Sequence, residues 1–298
     1  MFQGSIVALV TPMNEGGDLD LVAFDRLLDM HCDAGTSGVV IAGTTGESPC
    51  LSLVEVCRLT ERAVDRVGAK LRVLAGCGTN STGTSMSAAR AVSTAGAHGV
   101  LVVTPYYNRP SQRGLVEHFQ RVADAAQKPV VLYNVPGRTG CDLLPESVAR
   151  LAVHPLIVAI KEATGSLERG EQIVAQCGDR LELLSGDDAT FVDLMAVGAV
   201  GVISVTANVV PGPMAASCSA ALANDFEQAV QFNLPLAALH RATMLQSNPM
   251  VVKWILAQLG LIDETLRLPM VPLESMYFDE VSAACEAAGL ALTQAAQA

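Results

Sequence analysis

Eight short apolar runs, spaced by helical patterns, constrain this chain more than any other feature. They are SIVALV (5–10), GVVIAG (38–43), LRVLAG (71–76), GVLVVT (99–104), VVLYNV (130–135), IVAIKE (157–162), LELLSG (181–186) and VGVISVT (200–206). Each is strand-sized, rich in β-branched residues and bounded by Gly, Pro, Asn or Asp. The runs are nearly continuous in their hydrophobicity, as parallel strands covered on both faces require. Between them, Ser52 with Glu55 makes a capping-box pattern for a helix stopped by Gly68, and Pro145 fits a first-turn proline. Asp188 is placed to cap a segment that ends at Gly198. Eight strands alternating with helices predict an α/β fold, a (β/α)8 TIM barrel. A doubly wound open sheet is the alternative, but no GxGxxG follows the first run.

From about Asn224 the pattern changes to helices without strands. Asn248-Pro249 opens a helix that Gly260 stops, and Asp279 opens another ending near Gly289. The expected organisation is a barrel over 1–224 with a C-terminal helical appendage over 225–298.

Composition narrows the partners. A formal net charge of −11 repels phosphate backbones and anionic lipid, which argues against nucleic acid and membrane. The eight cysteines are scattered, with no C-x-x-C pair and no Cys/His cluster at metal spacing, so reduced thiols are expected. The start, MFQGSIVALVTPMNEGG, lacks the basic and long apolar stretches of a signal peptide. No segment approaches the roughly 18 apolar residues of a membrane span. A soluble, cytoplasmic protein is expected.

In a (β/α)8 barrel the chemistry sits at the C-terminal ends of strands and on the loops that follow them. Of four lysines, Lys70 and Lys128 precede strands at the inert end and Lys253 lies in the helix VVKWILAQLG. Only Lys161 follows directly on an apolar strand at the catalytic end. There a poorly solvated setting disfavours the ammonium and favours the free amine that attacks a ketone. The alternative is a lysine with a buried stem and a charge paired with Glu162. Three of four tyrosines, Tyr106, Tyr107 and Tyr133, fall at the ends of the fourth and fifth strands. Phenols beside an imine can shuttle protons, although loop aromatics also serve simply as packing. Thr44 and Thr45, flanked by Gly43 and Gly46, make a polar turn suited to a carboxylate. Arg138, on the loop after the fifth strand, is either a carboxylate clamp or an exposed loop arginine. Asp187-Asp188 reads as an N-cap and a first-turn charge rather than a metal site, since no third ligand lies nearby in sequence.

The motifs GTTGES (43–48), VTPYYNRPS (103–111), LYNVPGRTG (132–140), IKEATG (160–165), LSGDD (184–188) and GVISVTAN (201–208) closely resemble the dihydrodipicolinate synthase family. The likeness runs from Phe2 through the NPMVVKW and TLRLPM segments. It implies condensation of pyruvate with L-aspartate 4-semialdehyde, the first committed step of the diaminopimelate route to lysine. By matching positions, it implies that Lys161 forms the Schiff base and Tyr133 gives and takes protons beside it. Thr44 and Tyr107 complete a proton relay, and Thr45 with the Thr44 backbone holds the pyruvate carboxylate. Arg138 positions the aldehyde, while Gly186 and Ile203 line the pocket through their backbones. The resemblance implies no organic or metal cofactor, and a homotetramer built as a dimer of dimers. Related pyruvate-dependent aldolases, such as N-acetylneuraminate lyase and keto-deoxy sugar acid aldolases, share the lysine, the tyrosine and the Gly-rich turn. Thr44, where those relatives commonly carry serine, and the GRTG loop bearing Arg138 favour the synthase. A barrel kept only for ligand binding is the reading from another class, and it has no need of the relay.

Overall fold

The computed structural model describes residues 1–292, so the expected appendage over 225–298 extends at 293–298 outside the described residues. The eight runs form β1 (Gly4–Ala8), β2 (Gly38–Ile41), β3 (Arg72–Gly76), β4 (Gly99–Val103), β5 (Val130–Asn134), β6 (Ile157–Glu162), β7 (Glu182–Ser185) and β8 (Gly201–Ser204). All pair in parallel with their sequence neighbours, and β1 pairs with β8 to close the barrel. The predicted (β/α)8 barrel is therefore the fold. The barrel has two apolar layers because side chains alternate across a strand. Ile6, Val40, Leu74, Leu101, Val131, Ala159, Leu184 and Ile203 point inward and fill the lumen. Their neighbours Val7, Val39, Val73, Val100, Leu132, Ile160, Leu183 and Val202 point outward into the layer shared with the helices. Both faces are buried, which is why the runs read as unbroken.

The covering helices are α1 (Leu21–Asp33), α2 (Leu53–Val67), α3 (Thr82–Thr94), α4 (Gln112–Ala126), the single turn α5 (Pro136–Thr139), α6 (Pro145–Leu151), α7 (Leu167–Cys177), α8 (Phe191–Ala196) and α9 (Pro211–Leu222). The capping box on α2 forms as read: Glu55 N–H donates to Ser52 Oγ at 3.3 Å and Ser52 N–H to Glu55 Oε2 at 2.8 Å. Pro145 occupies the first turn of α6.

Asp188 does not cap α8, contrary to the sequence expectation. The helix begins later, after Thr190, and Asp187 serves the local turn by accepting the Thr190 N–H and hydroxyl at 3.1 and 2.7 Å. Asp188 turns instead to the end of β8, where its Oδ2 accepts from the Val205 and Thr206 N–H groups at 2.9 and 2.8 Å. Two backbone donors beyond a strand end outcompete a helix terminus that starts too far along the chain.

Beyond α9 the described residues form no further strand: α10 (Phe226–Asn233), α11 (Ala237–Ala242) and α12 (Met250–Gln258) are followed by an irregular stretch and α13 (Phe278–Ala287). Trp254 of α12 stacks on Phe278 of α13, with ring centroids 4.9 Å apart. All eight cysteines are free. Among the described residues, no helix is long and apolar enough to cross a membrane.

Candidate active site

Lys161 and Tyr133 are register partners on β6 and β5, so their side chains leave adjacent strands on the same, inward face. Both are almost wholly buried, and Lys161 Nζ lies 4.4 Å from the centre of the Tyr133 ring. The pairing of Lys161 with Glu162 raised from sequence does not occur, because adjacent strand residues face opposite sides. Glu162 points outward, where its carboxylate accepts from Asn134 Nδ2 at 3.0 Å and from Thr164 N–H at 2.8 Å. Asn134 also donates to Asp142 Oδ1 at 2.8 Å, and Arg169 holds both Asp142 oxygens. Burial pushes the Glu162 carboxyl above the usual range, against those donors. This outward network ties β5 to β6 directly behind the Tyr133–Lys161 pair. Among the described residues, Lys161 enters no salt bridge.

Gly186 lies directly against the lysine stem. A Cβ at Gly186 would stand 3.0 Å from Lys161 Cγ and Cε and 2.7 Å from Ala163 Cβ, so only glycine leaves the lysine stem its path. Ile203 is fully buried in the lumen.

The turn after β2 carries Thr44 and Thr45. Gly43 C=O accepts from Gly46 N–H at 3.1 Å and Ser48 N–H at 3.2 Å, and the Thr11 hydroxyl donates to Gly46 C=O at 2.8 Å. Ala42 and Glu47 bracket the turn in the left-handed region, with φ of 52° and 56°, a costly conformation for residues with a Cβ. Tertiary contacts hold it. The buried Glu47 carboxylate accepts from Lys253 Nζ at 2.7 Å and from Arg267 N–H at 3.0 Å. Asn248 Nδ2 donates to the buried Thr45 Oγ1 at 2.9 Å. Thr44 is half-buried beside it. Sequence reasoning missed Glu47, Asn248 and Lys253: their partners lie more than 200 positions away, and Lys253 read as an ordinary helical lysine.

Tyr106 and Tyr107 stand on the loop after β4. Tyr107 has φ 74°, and its N–H donates to Thr139 C=O at 3.2 Å while the residue is 89% exposed. Arg138 is exposed on α5, and among the described residues its guanidinium meets no protein acceptor. The structure thus brings Lys161, Tyr133, Gly186 and Ile203 together in the lumen, with the threonines and Arg138 on the loops at the same end. No side-chain hydrogen bond links Thr44, Tyr133 and Tyr107 among the described residues, so the expected relay is not closed within one chain.

A (β/α)8 barrel with a buried, carboxylate-free lysine on its sixth strand, facing a tyrosine from its fifth, is the arrangement of class I aldolase-type lyases. The chain belongs to the dihydrodipicolinate synthetase family, which it matches over residues 1–288. It is 48% identical to the 4-hydroxy-tetrahydrodipicolinate synthase of Teredinibacter turnerae, over 97% of this chain and 99% of that one. The solved chloride-inhibited dihydrodipicolinate synthase of Acinetobacter baumannii, complexed with pyruvate, superposes with a TM-score of 0.96 at 42% identity, covering 98% of this chain and all of that one. The Aquifex aeolicus dihydrodipicolinate synthase superposes at 0.95, with 38% identity over 98% of this chain and 100% of that one.

Proposed function

We propose that Lys161 forms a Schiff base with pyruvate and that the resulting enamine attacks L-aspartate 4-semialdehyde. The reaction is that of the 4-hydroxy-tetrahydrodipicolinate synthases, lyases of the diaminopimelate route to lysine. The Lys161 amine adds to the pyruvate ketone carbon, and loss of water gives the iminium. Removal of a methyl proton gives the enamine, whose carbon bonds to the aldehyde carbon of the second substrate. The amino group of that substrate then displaces Lys161 from the iminium carbon, closing the ring and freeing the enzyme.

Tyr133 gives and takes the protons of carbinolamine dehydration and aldol addition, with Thr44 and Tyr107 completing its route to water. Thr45 and the Thr44 backbone hold the pyruvate carboxylate, Arg138 receives the semialdehyde, and Gly186 and Ile203 bound the pocket. The amine and the hydroxyls carry every step, so no cofactor enters the scheme. Tyr107, exposed in its own chain, reaches the site of a neighbouring subunit in a homotetramer, a dimer of dimers. We place the enzyme in the cytoplasm, with small-molecule substrates and with neither nucleic acid nor membrane as a partner. The barrel of 1–224 carries the chemistry, and the C-terminal region from 225 supports it.

One observation carries this reading: a buried lysine that lacks a carboxylate and faces a phenol across adjacent strands. A coupled assay tests it, with pyruvate and L-aspartate 4-semialdehyde supplied and product followed through the next reductase. Turnover of N-acetylneuraminate without turnover of the semialdehyde would overturn it.

A further inference from the structure

Two unfulfilled polar functions lie side by side at the turn after β2. Thr45 Oγ1 accepts a hydrogen bond from Asn248 Nδ2, and among the described residues its own proton has no acceptor. Asn248 Oδ1 is buried without a partner among them. Thr45 is 1% exposed and Asn248 7%, so water does not freely meet these needs. A buried polar group left unpaired costs about 1–3 kcal/mol. Such groups persist where a ligand or ordered water completes them.

A hydroxyl has one proton and two lone pairs. With the Asn248 amide donating into one lone pair, the Thr45 proton must point elsewhere, and its oxygen is polarised towards stronger donation. That is the state a carboxylate selects. Were an acceptor placed at Asn248 instead, it would compete with the substrate for the same proton.

Resting on the carboxylate role given to Thr45, we propose that Asn248 is a positioning residue that fixes the Thr45 hydroxyl as a donor to the pyruvate carboxylate. Asn248 stands just ahead of α12, in the helical region beyond the barrel. That region is rigidly joined to the turn, since Lys253 and Arg267 both donate to Glu47 two residues beyond Thr45. The C-terminal region thereby sets the geometry of substrate recognition as well as covering the barrel.

The test is a double-mutant cycle read by the pyruvate concentration that half-saturates borohydride trapping at Lys161, alongside kcat and KM. Asn248→Ala should raise the half-saturating pyruvate concentration about tenfold, the equivalent of ~1.4 kcal/mol, with kcat changed less than about threefold. In a Thr45→Val background the same change should add less than about twofold, because the group it acts through is gone. Asn248→Asp keeps the volume but accepts rather than donates, so it should impair pyruvate binding more than Asn248→Ala. It also provides the reading should the alanine variant fail to fold. A rise for Thr45→Val with none for the Asn248 variants would overturn the positioning role and leave the carboxylate role of Thr45 intact. Equal rises in both backgrounds would likewise overturn it, since Asn248 would then act elsewhere. No rise for Thr45→Val would remove the carboxylate role and this proposal with it.

Discussion

Lys253 Nζ donates to Glu47 Oε1 at 2.7 Å, and neither side chain is measurably open to solvent. Burial pulls the Lys253 amine below its ordinary range, and the Glu47 charge opposes that pull. Thr265 C=O takes a second hydrogen bond from the ammonium at 2.6 Å. The other buried lysine, Lys161, has neither an anion nor such a cage among the described residues, and it faces the ring of Tyr133. The same residue type thus stands in two settings: Lys253, with a carboxylate, is a strut, and Lys161, without one, is the nucleophile we propose.

Removing one partner of the strut should be costly. Lys253→Met leaves the Glu47 charge buried and alone, a loss of about 3–5 kcal/mol. Adding Glu47→Gln should restore part of it, because no unpaired charge then remains. Urea denaturation of the two single variants and the double variant checks this. A double variant as unstable as the sum of the singles would contradict it.

How much of this was legible in the sequence follows from the range of each contact. The strands were readable because both faces are apolar, so Val7 and Ile6 look alike although one faces helices and the other the lumen. The place of Lys161 at a strand end was readable because its neighbours in sequence define that strand. The Ser52–Glu55 capping box was readable because it closes within one turn. Asp188 was misread because its donors, Val205 and Thr206, lie across a strand crossover. Asn248, Lys253 and Glu47 left no local signal, and the left-handed φ of Glu47 follows from packing rather than from any glycine at that position.

Arg267 holds the Glu55 carboxyl far below its ordinary 4.5, at about 2. A depressed carboxylate stabilises the fold above the unfolded value and loses that contribution as pH falls through the folded one. Glu55→Gln should therefore melt lower than the parent at neutral pH. The gap should be on the order of 2–4 °C, about 1 kcal/mol, kept small because the pair is partly solvated. It should close as pH falls from about 4.5 to about 2. Melting curves across that window check it, and a gap that widens on acidification would contradict it.

Tyr107 combines a left-handed backbone, held in its own chain by the N–H bond to Thr139 C=O, with 89% exposure, so among the described residues its side chain is left uncovered. Its proposed place in a neighbouring subunit's site predicts complementation. Mixed oligomers of inactive Tyr107→Phe and Lys161→Ala chains should regain activity, because some hybrid sites receive both intact residues. Verified hybrids without any rescue would show that Tyr107 works within its own chain.

Among the described residues Arg138 holds no protein group, so Arg138→Ala should leave the melting temperature within about 1 °C, a surface change of under roughly 0.5 kcal/mol. It should raise KM for the semialdehyde at least about tenfold, since a charge-assisted hydrogen bond contributes roughly 1.5–3 kcal/mol. Trapping of pyruvate at Lys161 should be unaffected. An unchanged KM for the semialdehyde would remove Arg138 from substrate binding.

Covalent catalysis through Lys161 would pass through an imine that reduction traps. Incubation with pyruvate and borohydride, followed by peptide mass mapping, tests it most directly. The reduced pyruvyl adduct should form on Lys161 alone, and a folded Lys161→Arg chain should form none, because a guanidinium stays protonated. An adduct on Lys70, Lys128 or Lys253, or full activity in Lys161→Arg, would contradict the account.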